Sequence, residues 1–544
     1  MKKLIVCLIC VILLLSAASC TPKTTPEQPS AQPSPTSSQP PAPPTGQSPA
    51  PPTGQSPPPA KVTDTIVVAY PTDPGNLAPF GTSNSFTDFI LYCLYESLYK
   101  VNDATGEVVP LIMESMNISA DGKEYTFQLK KGIKDTNGNE IKASDCLFSF
   151  LLCNDSPRSM DTQIIDFEKT EAVGDYTFKL VLKAPGKTYL AQFGKIYIIS
   201  EKSYKDSKDQ MVTTPVATGP YKLDNWVQGS TISFVANDSY WGAESDVKRL
   251  EFKIISDPSQ RTTALMTGEA NVVYDYLISD FNYINGTKGF TTEELSTNVV
   301  YFMGFNFSET SFGKDENFRK ACCLALNNEA LVTMVYRNLN IPATTCESKS
   351  CFDYTPAWEG SEFYKYDVKS AKEYLAKSGY DGSPLILITK SNVNRYDVLC
   401  EAIQNQLKQI GVIVEIQQYE PVVLSQITLQ QPADWDILIS DSSTFSNFAV
   451  DVLNLKHVRR NNLHLSDDIV AQFKEYTQKG ISSSNPQESA DNTLKAIWLN
   501  QDLCTYRAIC YATFKFAHAD YLSNFGRYST NKIAWNEIIV DTVK

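Results

Sequence analysis

Histidine, serine, cysteine and carboxylate side chains could do chemistry in this chain of 544 residues, but none of them forms a catalytic pattern. The three histidines, His457, His464 and His518, stand in no sequence context that a Ser/His or Cys/His mechanism uses. The sequence has no Gly-x-Ser-x-Gly turn, no glycine-rich phosphate loop and no His-Glu-x-x-His zinc motif. Among 61 acidic residues, some neighbouring pairs are expected on a solvated surface. We therefore predict no enzyme, no catalytic residue and no cofactor.

Two cysteines are spaced for a possible disulfide. Cys346 and Cys351 bracket the polar stretch 347–350, so that a bond between them would close a small loop. A structural zinc site is the alternative, and it is disfavoured because the histidines lie far away in the sequence. Other cysteines stand in apolar segments such as 322–326, which is typical of small buried hydrophobic residues. We expect no metal site.

The amino terminus has the pattern of a secretory signal. Two lysines precede an apolar run at residues 4–15, and small residues at 16–19 lead into Cys20. The run is shorter than the ~20 apolar residues that a membrane-spanning helix needs. A cysteine directly after the small residues resembles the lipobox of bacterial lipoproteins, although Ala17 stands where that motif usually has leucine. This resemblance implies removal of residues 1–19 and lipidation of Cys20. An ordinary cleaved signal with an incidental cysteine is the alternative.

A tether is expected after the signal, at residues 20–61. Its composition is almost entirely Pro, Ser, Thr, Gln, Gly and Ala, and Pro-Pro-Thr-Gly-Gln-Ser-Pro occurs at 43–49 and again at 51–57. Such a segment cannot bury an apolar core, so we predict disorder with polyproline II character. At ~3.1 Å per residue it could reach about 120 Å.

The remaining body is long enough for two or three domains and is acidic. The formal net charge of the chain is −13, and removal of the two signal-segment lysines makes it −15. This acidity excludes nucleic acid and anionic lipid surfaces as electrostatic partners. A second run of eighteen apolar residues is absent from the sequence, which favours a soluble body.

The body alternates strand-like and helix-like segments. Strands are predicted at 65–70, 125–129, 176–182, 231–235, 250–255, 412–417 and 435–440. Helices are predicted at 85–99, 316–326, 329–337, 369–378 and 396–409. This alternation is typical of α/β domains with partly parallel sheets.

Short motifs follow one another in a fixed order along residues 62–544. They are found at 94–99, 109–111, 120–127, 129–134, 143–146, 217–223, 237–242, 305–306, 318–321, 327–329 and 366–380. Examples are Ala-Thr-Gly-Pro-Tyr at 217–221 and Asn-Asp-Ser-Tyr-Trp-Gly at 237–242. Their order resembles that of the extracytoplasmic solute-binding proteins, family 5, which serve peptide and nickel ABC importers.

The resemblance implies a two-lobe periplasmic-binding-protein-like α/β fold of type II, cluster C, with an extra β-rich domain inserted in the first lobe. Mapped onto this sequence, lobe I comprises residues 62–103, 210–285 and 510–544. The β-rich domain comprises 104–209, and lobe II comprises 286–509. Gly219-Pro220 is expected to form a tight turn where the chain re-enters a sheet.

The same resemblance implies where a ligand would bind. Peptide-binding members hold the ligand's α-amino group with an aspartate in a loop after a strand such as 435–440. Asp441 is the only acid in the corresponding loop of this chain, although it comes several residues early, and Phe445 stands near the expected position. Either Asp441 takes this role or amine recognition is absent. The predicted ligand-binding set is completed by the following residues: Ser442, Tyr70, Tyr301 and Asn306.

The implied function is that of a substrate-binding lipoprotein of an ABC importer. It would capture a solute, most simply an oligopeptide, between its lobes as a monomer and deliver it to membrane permease subunits. Two alternatives stay open. One is a surface lipoprotein that uses the fold for signalling or adhesion, and the other is a receptor for an oligosaccharide or a metal chelate.

The lipoprotein assignment predicts the outcome of one substitution. Cys20→Ala removes the thiol that would carry the lipid, so the protein should be unprocessed or released instead of membrane-retained. Fractionation of cells that express wild type and variant measures this. Unchanged membrane retention of the variant would disprove the anchor.

Overall fold

A computed structural model describes residues 63–81, 85–103, 105–159, 162–391, 395–443, 446–528 and 532–541 of the chain. The signal segment, Cys20, the tether and Phe445 lie outside these residues. In the described part of the chain, no helix is both long and apolar enough to cross a bilayer.

The order of elements is that of a mixed α/β protein. The strands are β1 (Thr65–Tyr70), β2 (Tyr99–Val101), β3 (Val108–Pro110), β4 (Met113–Ile118), β5 (Glu124–Leu129), β6 (Glu171–Ala172), β7 (Thr177–Val181), β8 (Tyr221–Val227), β9 (Thr231–Ala236), β10 (Arg249–Ile254), β11 (Val272–Tyr274), β12 (Phe290–Phe305), β13 (Ile341–Pro342), β14 (Leu385–Lys390), β15 (Val414–Tyr419), β16 (Ile437–Ser442), β17 (Tyr506–Ala519), β18 (Leu522–Ser523), β19 (Arg527–Tyr528), β20 (Lys532–Ile533) and β21 (Ile539–Val540). The helices are α1 (Ser85–Leu94), α2 (Ala143–Asn154), α3 (Tyr189–Phe193), α4 (Glu201–Asp206), α5 (Pro258–Met266), α6 (Phe281–Asn285), α7 (Glu316–Leu324), α8 (Asn328–Tyr336), α9 (Val368–Leu375), α10 (Tyr396–Ile410), α11 (Pro421–Ile427), α12 (Ala449–Leu453), α13 (Asp467–Ser482) and α14 (Pro486–Leu503).

One mixed sheet runs through both lobes in the order β15-β14-β16-β12-β17-β11-β1-β10-β9-β8, with β13 paired to β17. Its centre is the long antiparallel pair β12–β17. The first half of β12 and the second half of β17 join β11 and β1 in lobe I. The second half of β12 pairs with β16 in lobe II. The register of β12 against β17 shifts between Ser296 and Val300, so the sheet is irregular where it passes from one lobe to the other.

Lobe II is built on the parallel strands β15, β14 and β16, which are covered by helices. Aspartate and asparagine side chains set the start of several of these helices. Asp315 accepts a hydrogen bond from the Phe318 amide at the start of α7, and Asn327 accepts one from the Ala330 amide at the start of α8. Such caps satisfy amides that a helix leaves unpaired at its first turn. They explain why the helices of this lobe begin close to the predicted positions.

The β-rich segment forms its own antiparallel sheet in the order β4-β5-β7-β6, with α2 packed beside it. Its aromatic interior includes Phe127, Phe150 and Phe178, with Phe127 and Phe178 stacked at 6.0 Å between ring centroids. These rings belong to the same apolar cluster as Ile66 and Val68 of β1. The segment is therefore joined to lobe I by a continuous core.

Gly219 is required by close backbone packing. A Cβ atom at this position would lie 2.8 Å from the carbonyl oxygen of Leu94. The Gly219 amide donates a hydrogen bond to that same oxygen at 2.8 Å. The turn before β8 thus needs glycine because the chain lies directly against the end of α1.

The cysteines of the body are buried free thiols. This corrects the possible disulfide, since Cys346 and Cys351 are both unbonded in the structure. Cys346 is fully buried and its Sγ lies 3.9 Å from the carbonyl oxygen of Ile497. The interpretation of the other cysteines as small buried hydrophobic residues is confirmed.

Arg507 is a buried guanidinium that ties β17 to the helical face of lobe II. It donates hydrogen bonds to the carbonyl oxygens of Phe363 at 2.9 Å and Leu326 at 3.0 Å, and to the Asn328 side chain. Its guanidinium lies 5.0 Å from the centroid of the Tyr364 ring. Burial is tolerated because every face of the group meets an acceptor or an aromatic ring.

Arg507→Met should lower the free energy of unfolding by about 3 kcal/mol, because two buried carbonyls lose their donor. Urea unfolding of the wild type and the variant measures the change. Lys408→Met, at an exposed position of α10, is the control and should leave stability nearly unchanged. An equal effect of both substitutions would contradict the role of Arg507.

Candidate functional site

A pocket of about 320 Å³ lies in lobe II where the parallel strands β14 and β16 end. Its other walls come from α11 and from residues 452–462. Crevices at the carboxyl ends of parallel strands are the usual ligand sites of open α/β sheets. Phe302 of β12 also lines it, so the pocket adjoins the strand pair that connects the lobes. We call this cavity the lobe II pocket.

Asp441 lines the lobe II pocket but already has two partners within the protein. Lys390, at the end of β14, forms an ion pair with its carboxylate, and the Tyr396 hydroxyl donates a hydrogen bond to the same oxygen. The side chains of Lys390 and Asp441 are 22% and 25% exposed. An ammonium group of a ligand would therefore compete with an ammonium that the chain itself supplies.

Two other predicted ligand residues lie at or beside this pocket. Ser442 lines the pocket, and its hydroxyl oxygen is buried without a hydrogen-bond partner. Tyr301 is paired with Asp441 in the β12–β16 register and packs 5.6 Å from the Tyr396 ring. Burial, followed by the Asp441 charge, raises the pKa of the Tyr301 hydroxyl well above its usual range. The fold thus brings three of the predicted ligand residues together: Asp441, Ser442 and Tyr301.

The structure places Tyr70 and Asn306 in structural positions instead. Tyr70 is fully buried in lobe I, donates a hydrogen bond to the Phe86 carbonyl oxygen at 2.8 Å and stacks on Phe89. Asn306 is fully buried after β12 and donates to the Trp435 carbonyl oxygen at 2.6 Å. Neither side chain is open to a ligand in this arrangement. Phe445 lies outside the described residues, as stated above.

A buried lysine at the pocket was not among the residues predicted from the sequence. Lys456 lies on the π-helical segment Asn454–Arg460 and is only 7% exposed. Its ammonium sits 3.7 Å from the centroid of the Phe302 ring and 3.3 Å from that of Tyr506, and no hydrogen bond reaches it. π-helical turns are frequent at functional sites. A lone lysine gives no periodic signal, so sequence patterns could not have identified it.

Glu347, like Lys456, is a buried ionisable residue with an unfilled hydrogen-bonding position. Tyr506 donates a hydrogen bond to one of its oxygens, whereas the other has no partner. Burial raises the pKa of Glu347 to about 7, against the opposing effects of Lys456 and the Tyr506 hydrogen bond. Burial likewise lowers the pKa of Lys456 to about 8. Burial thus acts on both groups in favour of the neutral form, while the attraction between their charges opposes it.

The three histidines are dispersed in the structure. His457 is fully buried beside Asn500, and burial followed by the Lys456 charge lowers its pKa to about 3. His464 contacts Gln431, and His518 lies on β17 in lobe I. In the described part of the chain, no group of three or more His, Cys, Asp or Glu side chains could hold a metal ion.

The β-rich domain reaches across to lobe II near the pocket. Gln192 donates a hydrogen bond to Asp451 at 2.9 Å, and Arg459 donates one to Gln163 at 2.9 Å. Lys187 lies 3.8 Å from the carboxylate of Asp353. These contacts link the segment that walls the pocket to the other side of the molecule.

The structure thus has two α/β lobes and a polar pocket beside the strands that connect them. The family described as bacterial extracellular solute-binding proteins, family 5 Middle, matches residues 107–456, which is more than half of the chain. The chain belongs to this family. It therefore binds a solute for ABC import outside the cytoplasm and is not an enzyme, as the resemblance of its motifs predicted.

Individual relatives differ in what they are named for. The dipeptide-binding protein of Escherichia coli K12 is 26% identical over 374 residues, covering 62% of this chain and 68% of that protein. Heme-binding protein A of Haemophilus influenzae is 26% identical over 434 residues, covering 73% of this chain and 78% of that protein.

Solved structures share the fold. NikA from Brucella suis, in complex with Fe(III)-EDTA, superposes with a TM-score of 0.79 at 20% identity, covering 88% of this chain and 99% of that chain. AppA from Bacillus subtilis, in complex with a nonapeptide, has a TM-score of 0.70 at 20% identity, covering 88% and 98%. The predicted two-lobe fold class is confirmed.

The raised pKa of Glu347 predicts that the free energy of unfolding depends on pH. Glu347 has a higher pKa in the folded protein, about 7, than its ordinary 4.5. The folded state therefore holds this proton more tightly, and the contribution of Glu347 to stability falls as pH rises from about 4.5 to 7. Glu347→Gln, which stays neutral, should gain stability relative to wild type across that range.

Urea unfolding of wild type and Glu347→Gln at pH 5 and pH 7.5 measures this difference. Glu401→Gln, at an exposed position of α10, is the control and should show no such trend. A stability difference between Glu347→Gln and wild type that is the same at both pH values would show that Glu347 titrates normally.

Proposed function

We propose that this protein is the peptide-binding lipoprotein of an ABC importer and that the lobe II pocket holds part of the peptide. The observation that carries the proposal is the pocket itself. It lies at the carboxyl ends of β14 and β16 and combines a carboxylate, two ammonium groups and a guanidinium with apolar walls. Charges of both signs beside apolar surface suit a solute that is itself charged and partly apolar, as a short peptide is.

Its size supports a short ligand or a ligand segment. A volume of about 320 Å³ is at the lower end of the ~300–1,000 Å³ range of small-molecule pockets. The relatives include proteins named for dipeptides and for ABC peptide transport. Capture of a peptide of a few residues follows from these two observations together.

Closure about the β12–β17 pair would couple binding to delivery. A ligand shifts a hinged protein toward its closed form only by binding that form more tightly. The register shift near residues 297–299 offers the hinge, and the contacts of Gln192 and Arg459 with the opposite side, which are present in this structure, would break when the lobes open. The closed monomer would then dock on permease subunits in the membrane.

Lipid on Cys20 would hold the protein at the membrane outside the cell, and the proline-rich tether would give the body reach. This part of the proposal rests on the signal-like amino terminus and on the extracellular location of the family. Residues 62–103, 210–285 and 510–544 as lobe I, 104–209 as the β-rich domain and 286–509 as lobe II remain the proposed domain limits.

Native mass spectrometry of the purified protein tests the ligand class. A heterogeneous set of short peptides should co-purify, because main-chain recognition gives affinity with little demand on side chains. Isothermal titration with dipeptides should then show binding after the bound peptides are removed. A bound haem or metal chelate, as in the names of some relatives, would contradict the peptide assignment while leaving the solute-binding role intact.

A further inference from the structure

The lobe II pocket carries positive charge in an acidic protein. The formal net charge of the chain is −13, yet the charged side chains that line the pocket are Lys390, Lys456, Arg460 and Asp441. Three cations against one carboxylate leave a net positive lining. A cavity whose lining carries a net charge within low-dielectric walls concentrates ligands of the opposite sign.

The single carboxylate of this lining is already matched. Asp441 pairs with Lys390 and accepts a hydrogen bond from Tyr396. Arg460, by contrast, is exposed at the pocket and has no ion-pair partner among the described residues. The unmatched charge of the lining is therefore cationic, and it comes from Arg460 and Lys456.

Two buried polar groups at the pocket also lack partners. The ammonium of Lys456, whose residue is 93% buried, has no hydrogen bond, and neither does the hydroxyl of Ser442. A buried polar group without a partner calls for a physical explanation, and at a pocket one such explanation is a ligand group that it can bind. The charge of Glu347 acts on Lys456, but no hydrogen bond joins the two groups. Both unpartnered groups at the pocket, an ammonium and a hydroxyl, can donate to an anion.

We propose that the lobe II pocket binds the carboxylate of the solute and that the chain recognises its ligand by this acidic end rather than by an amine at Asp441. Arg460 supplies the guanidinium at the mouth, Ser442 a hydroxyl donor, and Lys456 a fixed positive charge at the floor. Guanidinium and carboxylate groups match in geometry and charge. The inference rests on the proposed function, since it assigns the end of the peptide that the pocket holds.

A comparison of modified peptides tests the inference. Three pools of the same dipeptides are offered to the purified protein: free acids, C-terminal amides and N-acetylated acids. Retained peptides are quantified by mass spectrometry, and affinities are measured by titration. Loss of a charge-assisted contact should weaken the amides by roughly tenfold or more, whereas acetylation of the amine should have little effect.

Substitutions locate the effect in the pocket. Arg460→Gln should reduce affinity for the free acids about tenfold while leaving the weaker binding of the amides nearly unchanged. Arg337→Gln removes the same charge from another exposed position of lobe II and is the matched control. Lys456→Met should have the same selectivity, and its melting temperature is recorded because Lys456 is buried. Arg460 is exposed, so Arg460→Gln should fold normally. This variant therefore keeps the test decisive even if Lys456→Met fails to fold.

The two possible failures are distinguishable. Equal affinity for acids and amides, or weaker binding of the acetylated pool alone, would overturn the carboxylate assignment and leave the peptide receptor standing. Binding of none of the three pools, together with no co-purified peptide of any length, would overturn the proposed peptide function itself. If the wild type binds the amides more weakly than the free acids, and Arg460→Gln removes this difference, the result supports both the peptide function and the carboxylate assignment.

Discussion

The pairing of β12 with β17 is the constraint on which the rest of the structure depends. The two strands are long enough to take part in both lobes, so one hydrogen-bonded ladder holds the halves of the sheet together. The shift of register between Ser296 and Val300 interrupts that ladder at the crossing. A ladder bends more easily where it is irregular, so we expect rotation of the lobes to occur at this stretch.

Charge burial in lobe II follows from the same arrangement. The second half of β12 brings Phe302 to the pocket, and the first half of β17 brings Tyr506 beside it. The two rings enclose the Lys456 ammonium, which would otherwise bear the full cost of leaving water. On the neighbouring strand β16, Asp441 follows Ser440, the residue that pairs with Phe302, and it forms an ion pair with Lys390. In the pocket, the carboxylate of Asp441 is therefore ion-paired, whereas Lys456 and Arg460 form no ion pair with any described residue. The ligand group that fits this pocket is expected to be negatively charged.

Local patterns predicted much of the fold but less of the site. The β-branched run at 65–70 became β1 with the predicted limits, and apolar spacing placed α10 to within a residue. Asp441, with Ser442 beside it, was predicted at the site from the family resemblance, and both line the pocket as the last two residues of β16 rather than as part of a loop. The sequence could not show that Tyr70 and Asn306 are structural residues rather than ligand-binding residues. Their burial depends on residues that are distant in the sequence, such as Phe89 and Trp435.

The lysine at the floor of the pocket was beyond such reasoning for a similar reason. Its aromatic neighbours lie on β12 and β17, some 50 to 150 residues away in the chain, and only the sheet brings them together. The long strands themselves were missed since their alternation changes where they pass between lobes. The possible disulfide between Cys346 and Cys351 is not formed in the structure, where both residues are buried free thiols.

A crystal structure of the protein purified with its natural solute would test the central claim most directly. We expect the solute to lie in the lobe II pocket, with its carboxylate within hydrogen-bond distance of Arg460 or Ser442 and with the Lys390–Asp441 pair intact. A solute whose ammonium replaces Lys390 at Asp441, or a solute bound away from this pocket, would contradict it.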